Sequence, residues 1–285
     1  MNFKKSVVIP ALLPASEQSL EEFKRIASVL KGKGISVLEF YSPPEQAADR
    51  KQILDDFGFS GFFLAAGFQK KNGLSLCSPD EEERLEALRK TCVCIDSAKA
   101  SGADTVLITS GRYPGPERES DSWKALESSV CFLMDYADGL KIVMEQGDRS
   151  LDAKQLAGPI EETLAFARKI RARYPGFGLT MDTSHTKQLR EDYRAALDFA
   201  APCCEHIHLA NCVLLEGHPL YGDKHPLFDY PDSSYTLSEL QALGRELAKS
   251  YPKPFTMAIE IINRDSDPWA FVDKVLLEEQ WFFEL

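Results

Sequence analysis

Short apolar runs of strand length alternate with longer amphipathic stretches from one end of this chain to the other, and there are eight of each. The runs that read as strands are 6–13, 35–41, 61–67, 105–110, 141–146, 177–182, 205–211 and 255–261. Helical patterns fill the intervals, at 17–31, 45–57, 80–101, 120–138, 159–173, 187–201, 236–250 and 268–280. Strict alternation of this kind requires parallel strands with helical crossovers covering them, and eight such units are enough to close the sheet on itself. Punctuation at the joints agrees: Gly32 and Gly34 end the first helical stretch, Ser78-Pro79-Asp80-Glu81 opens the third, and Gly102 closes it. No Pro/Gly/Ser-rich linker divides the 285 residues. The expectation is therefore an α/β chain folded as a single (β/α)8, or TIM, barrel domain over residues 1–285. The connection 212–235 is the one long loop, with Gly217, Pro219, Gly222, Pro226 and Pro231, and in a barrel it lies over the C-terminal face.

Within the last four strands the side-chain alternation carries chemistry. In Phe255-Thr256-Met257-Ala258-Ile259-Glu260-Ile261 the odd-numbered residues are large and apolar, suited to packing under helices. Glu260 then belongs to the inward face. The same rule sends Glu145 inward at the end of the fifth strand, Asp182 at the end of the sixth, and His206 and His208 in the seventh. Three carboxylates and an imidazole thus occupy matching positions at the end of a barrel where active sites are built. Alone, any one of them reads as a helix cap or a solvated loop residue. Together in one cavity the three anions repel and need a positive partner, and the strand tips carry no Lys or Arg. A divalent cation held by Glu145, Asp182, His208 and Glu260 suits that ligand set, with Mn2+, Co2+, Zn2+ or Mg2+ all admissible.

A second group lies beside the first. His185 follows the sixth strand, and Asp223-Lys224-His225 sits in the long loop. His185, Asp223 and His225 have the composition of a second metal site, and equally that of a set of contacts to substrate hydroxyls. His206, one inward step below His208, reads as a satisfied core histidine.

The charge balance narrows the partners. With 33 Lys and Arg against 44 Asp and Glu, the net charge of −11 disfavours a surface that neutralises nucleic-acid phosphates. No apolar stretch reaches the length of a membrane span, and charged and polar residues return too soon after Met1 for a secretory signal. Seven scattered cysteines form no CxxC framework and read as reduced thiols of a cytoplasmic protein. The apolar tail Trp281-Phe282-Phe283-Glu284-Leu285 suits docking on the barrel or, in a homo-oligomer, on a second subunit.

These residues give the chain its resemblance to the xylose-isomerase-like TIM barrels, and among them to the sugar phosphate isomerases and epimerases related to tagatose epimerase. Val143-Met144-Glu145, Met181-Asp182-Thr183-Ser184-His185, His206-Ile207-His208-Leu209 and Ala258-Ile259-Glu260 resemble that family's metal-ligand segments and its neighbouring substrate-binding histidine. The resemblance implies one divalent metal gripping two adjacent oxygens of an open-chain sugar, stabilising an enediolate while Glu145 and Glu260 exchange the carbon-bound proton. It also implies that Arg149 corresponds to a loop arginine of the family.

The expected activity is isomerisation or epimerisation of a small carbohydrate or derivative. A dehydratase or other lyase on the same fold is an alternative. More distantly the chain resembles the family 2 AP endonucleases, whose Asp-x-His is similar to Asp223-Lys224-His225 and, with His185, would hold an additional zinc. The histidines that a three-zinc nuclease takes from its second and third βα turns are missing from Glu39-Phe40-Tyr41, Ala65-Ala66-Gly67-Phe68 and Thr109-Ser110-Gly111. No glycine-rich phosphate loop is present, leaving Arg112, Arg149 and Lys224 as the candidate anion contacts.

Overall fold

The computed structural model describes residues 3–285. Eight parallel strands close into a barrel in sequence order: β1 (Phe3–Val8), β2 (Val37–Phe40), β3 (Ser60–Leu64), β4 (Ala103–Ile108), β5 (Lys141–Glu145), β6 (Phe177–Asp182), β7 (Cys204–Leu209) and β8 (Phe255–Ile259). Closure is completed by β8 pairing with β1 from Phe3↔Phe255 to Val7↔Ile259. Closing the sheet leaves no edge strand to be capped.

Inside the barrel Val8, Val37, Phe62, Leu64, Leu107, Val143 and Ala258 form a small separate apolar cluster. The alternate residues, among them Leu38, Met144, Met181, Ile207 and Met257, point outward into the much larger core beneath the helices. Period-two alternation thus fills a thin plug and leaves the tips of the inward rows for polar groups. One register shift matters to the site. Between Leu179 and Thr180 the pairing of β6 with β7 slips, so that Thr180 stands opposite His206 and Asp182 opposite His208. Gly178 permits the close approach, because a Cβ there would come within 2.4 Å of the Glu205 Cγ.

All eight expected helical stretches carry helices, but two strand ends and one helical stretch differ from expectation. The first apolar run turns helical at Ile9–Leu12, where Pro10 fits the first turn of a helix and cannot extend a strand ladder. The third run ends at Leu64 and becomes the helix Ala65–Lys71. Past β6, Asp182 caps a short helix at Thr183–Gln188, so the stretch expected as 187–201 divides, its second part being Tyr193–Ala200. Each extra helix starts at the C-terminal mouth, where backbone leaving a strand turns back over the barrel.

The long connection is anchored at its base by Asn211. Its Nδ2 donates to the Phe228 and Tyr235 carbonyls at 3.1 and 2.8 Å, and its Oδ1 accepts from the Cys212 and Tyr235 amides. Gly222 N donates to Val213 O at 2.9 Å, folding the loop back on itself. The C-terminal tail docks within the chain: Phe282 is fully buried, and Lys5 Nζ donates to the carbonyls of Phe283 and Leu285. Among the described residues no cysteine is paired with another, and no helix is long and apolar enough to cross a membrane.

Candidate active site

His208 is the centre of the mouth. Its Nδ1 lies 2.9 Å from Glu260 Oε2, 3.3 Å from Glu145 Oε1 and 3.8 Å from Asp182 Oδ2. One ligand atom from each of these four residues can be chosen so that all lie within 4.8 Å of one another. Several of these atoms are buried without a hydrogen-bond partner, namely His208 Nδ1, Asp182 Oδ2 and Glu260 Oε2. Buried polar atoms left unpaired are costly, and here they converge on one point. A cation with bonds of about 2.0–2.2 Å would satisfy them together. The donor set therefore fits a divalent metal.

Asp182 does two things at once. Its Oδ1 caps the following helix, accepting from Ser184 N and Ser184 Oγ, both at 2.6 Å, and from His185 N at 3.2 Å. That bonding fixes the rotamer that sends Oδ2 into the mouth. His208 is oriented from behind, its Nε2 lying 3.0 Å from Glu39 Oε2. With that nitrogen engaged, Nδ1 is the one turned to the cluster, the arrangement of a carboxylate behind a metal-binding histidine.

The second group is next to the first and shares its walls. Asp182, His185 and His225 also offer ligand atoms within 4.8 Å of one another. Asp223 Oδ1 lies 2.7 Å from His225 Nε2 and 4.0 Å from His185 Nε2, so all three predicted members meet. His225 Nδ1 is 3.6 Å from Glu260 Oε1, and Ser184 Oγ is 2.9 Å from His225 Nε2. The loop holds His225 at φ +38°, while its carbonyl accepts from Ile262 N at 2.9 Å. A non-glycine residue in that region stores strain that its surroundings must offset.

The protonation pattern follows from this crowding. Burial lowers the basicity of His208, but Glu260, Glu39 and Glu145 outweigh it and hold the imidazole well above its usual value. His225 is raised in the same way by Glu260 and Asp223. Burial alone would lift Glu145, yet the Lys70 ammonium and the His208 ring bring its carboxyl down to about 2. Glu260 is likewise depressed, burial being overcome by His225 and His208.

Two residues of the mouth are absent from the sequence-derived set. Lys70, from the helix Ala65–Lys71, places Nζ 3.2 Å from Glu145 Oε2, so although the strand tips carry no Lys or Arg a helix supplies a cation beside the carboxylates. The amine comes from a turn of helix that the strand reading 61–67 conceals. Glu39 lies fully buried on β2, its Oε1 3.1 Å from His206 Nε2, and is held down to about 2 because the His206 and His208 rings overcome the effect of burial. His206 is a buried core residue against Phe62, paired through Nε2 with Glu39 at 3.1 Å while its Nδ1 has no partner, and with Glu39 and His208 it also forms a group that could hold a metal ion.

Arg149 is a correction of another kind. Its guanidinium bonds Glu119, Glu162 and the Leu156 carbonyl and lies over the Tyr113 ring. It fastens the loop after β5 to neighbouring helices instead of joining the cluster.

The profile of the xylose isomerase-like TIM barrel family matches residues 16–247. No curated protein matches the sequence. Among solved structures, an L-ribulose 3-epimerase superposes with a TM-score of 0.72 at 15% identity, covering 99% of this chain and 94% of that one. A D-tagatose 3-epimerase-like protein gives 0.71 at 17% identity, with 97% and 96% covered. An AP endonuclease, family 2, from Brucella melitensis gives 0.65 at 15% identity, with 94% and 95% covered. At these identities the likeness establishes the barrel and its strand order.

Proposed function

Because this chain belongs to the xylose isomerase-like TIM barrel family, and because its mouth gathers two strand-end glutamates around one imidazole, we propose that it is a metal-dependent isomerase or epimerase of a sugar or sugar derivative. The observation that carries this reading is the approach of Glu145 Oε1, at the end of β5, and Glu260 Oε2, just past β8, to the same nitrogen of His208 at 3.3 and 2.9 Å. Two carboxylates facing one bound substrate from separate strands suit removal of a proton by one and its return by the other. The names of the epimerase neighbours support the same class.

A divalent cation held by Glu145, Asp182, His208 and Glu260 would supply positive charge to the substrate's oxygens. The chain's own residues do the rest. Glu260 or Glu145 takes the proton from the carbon next to the carbonyl, the C–H electron pair forms the C=C bond, and the carbonyl π pair moves onto its oxygen. Delivery of a proton to the opposite face by the other glutamate inverts the centre; delivery to the adjacent carbon, with the hydroxyl proton passing from one enediolate oxygen to the other, isomerises it. Lys70, beside Glu145, and the imidazoles of His185 and His225 face the same space and are placed to bind hydroxyls. The test is deuterium uptake from heavy water into the carbon-bound position of ketoses. Glu145→Gln and Glu260→Gln should each lower exchange by roughly 10²–10⁴-fold, the range for loss of a general acid or base. Full exchange in both variants would sink the assignment.

A second reading rests on the meeting of His185, Asp223 and His225, which suits a multinuclear phosphoesterase. Cleavage of abasic DNA by protein carrying two metal equivalents, without deuterium uptake into any sugar, would select it.

A further inference from the structure

A cleft of about 610 Å³ opens beside the mouth, and its lining is basic although the chain carries a net charge of −11. Lys70, Arg112, Lys154 and Lys224 face it, against the two carboxylates of Asp152 and Asp223. Both carboxylates are already in use. Asp152 Oδ2 accepts from Lys224 Nζ and Asp223 N, each at 2.8 Å, and Asp223 is paired with His225. Arg112 and Lys154 have no side-chain partner among the described residues.

These two free cations are presented by ordered backbone. An antiparallel bridge joins Arg112 to Gln155, and Tyr113 N donates to Lys154 O at 2.7 Å, so the loops after β4 and β5 run side by side. The second loop is wound around the Asp148 carboxylate, which accepts from the amides of Ser150, Leu151, Asp152 and Ala153. Lys154 is held at φ +47° by this construction. A lysine kept in a left-handed conformation, with its charge unpaired beside a catalytic mouth, is strain of the sort that accompanies ligand binding. Lys70 and Asp223 belong to the cleft and to the mouth alike, so the two spaces are continuous.

We propose that the cleft seats an anionic substituent of the substrate, a phosphate monoester or a carboxylate on an open-chain sugar. Arg112 and Lys154 hold the anion, and Lys70 stands at the junction with the reacting carbons. The inference rests on the sugar-site reading above and adds the chemical class of the substrate. Guanidinium and ammonium donors are suited to either anion, and charge-assisted hydrogen bonds of this type give both strength and orientation.

The experiment measures binding without turnover. A hexitol, its 6-phosphate and the corresponding hexonate lack the carbonyl needed for reaction, and each is titrated calorimetrically into the purified protein and into the Arg112→Gln/Lys154→Gln variant. The charged probe should bind at least about tenfold tighter than the hexitol, as expected for hydrogen bonds to charged groups, and the variant should lose that advantage. Preference for the hexitol phosphate identifies a phosphate seat, and preference for the hexonate a carboxylate seat. Equal binding of all three, or no binding of any, overturns the proposal. So does an anion preference that persists in the variant, which assigns the anion to other groups of the mouth instead. Failure of the isomerase reading is seen separately, as absence of deuterium uptake with this binding pattern intact.

Discussion

Loading the four-ligand group with a divalent metal should expel a proton, and the structure says from where. In the metal-free protein His208 Nδ1 faces Glu260, Glu145 and Asp182 at 2.9, 3.3 and 3.8 Å, while Nε2 faces Glu39 at 3.0 Å. Burial pulls its basicity down, but the carboxylates win and raise it well above the ordinary imidazole value. The ring is then cationic near neutral pH. A metal binding at Nδ1 must displace that proton, so apparent affinity should rise about tenfold per pH unit, or about 1.4 kcal/mol, up to the folded-state value.

Stability shifts in the opposite sense. A group raised on folding stabilises the metal-free protein fully below its unfolded value and loses that contribution as pH climbs through the folded one. The metal-free protein should therefore lose thermal stability on the alkaline side, where the metal-loaded protein holds. Titration calorimetry at pH 7 in two buffers of different ionisation enthalpy reads the proton count directly. About one proton per metal is expected in the four-ligand group. Metal binding without proton release, and with affinity unchanged between about pH 6 and pH 8, would refute the reasoning, since a neutral His208 beside these carboxylates contradicts the electrostatics.

Further outcomes follow from other parts of the site. Glu39→Gln keeps the shape of a buried side chain but removes the charge behind His208, so metal affinity measured by competition with a chelator should fall about 10–100-fold while the fold persists. Gly111→Ala should cost about 2–4 kcal/mol in denaturant unfolding, because the residue sits at φ +98° and a Cβ would lie 2.6 Å from the Ser75 Cα. Asp148→Ala removes a fully buried carboxylate that binds four consecutive amides. It should cost about 2–3 kcal/mol and make the loop after β5 protease-sensitive, and an unchanged cleavage pattern would count against its role.

The barrel and four members of the cluster were legible because alternation with period two is local: once β5 to β8 are located, Glu145, Asp182, His208 and Glu260 must face inward. Glu39 obeys the same rule, lying inward with Val37 while Leu38 faces the outer core, yet its partner His208 comes 169 residues later and only barrel closure brings them together. Lys70 escaped for a different reason. Its amine reaches Glu145 only because the chain turns helical directly at Leu64, and an apolar run such as Phe62-Phe63-Leu64-Ala65-Ala66 does not announce where its strand stops. The resemblance that pointed to Arg149 does not carry over, since four residues beyond Glu145 the loop has already turned toward Glu119 and Glu162.

Lys70 also bears on how many metals the mouth accepts. A three-zinc nuclease needs ligands from the second and third βα turns, and this chain has other groups there. The backbone N–H of Thr109 donates to Gln69 Oε1 at 2.8 Å, and the next residue of that helix turn is Lys70 itself, 3.2 Å from Glu145 Oε2. An ammonium in that position occupies one oxygen of the carboxylate and repels a cation approaching the same flank. Burial would lower the basicity of this lysine, but Glu145, Asp223 and Glu260 outweigh it, so the amine stays charged. Of the groups that could hold a metal ion, Glu39-His206-His208 shares its His208 imidazole with the four-ligand set, so the separate sets are the four around His208 and the one at His185, Asp223 and His225. Elemental analysis of protein incubated with excess Zn2+ should therefore stop at two equivalents, and Lys70→Ala should leave that ceiling in place because the remaining group, Glu39-His206-His208, competes for the same imidazole. Three equivalents in the wild type would mean that the ammonium is displaced, and the electrostatic argument for a sugar site over a nuclease would fall with it.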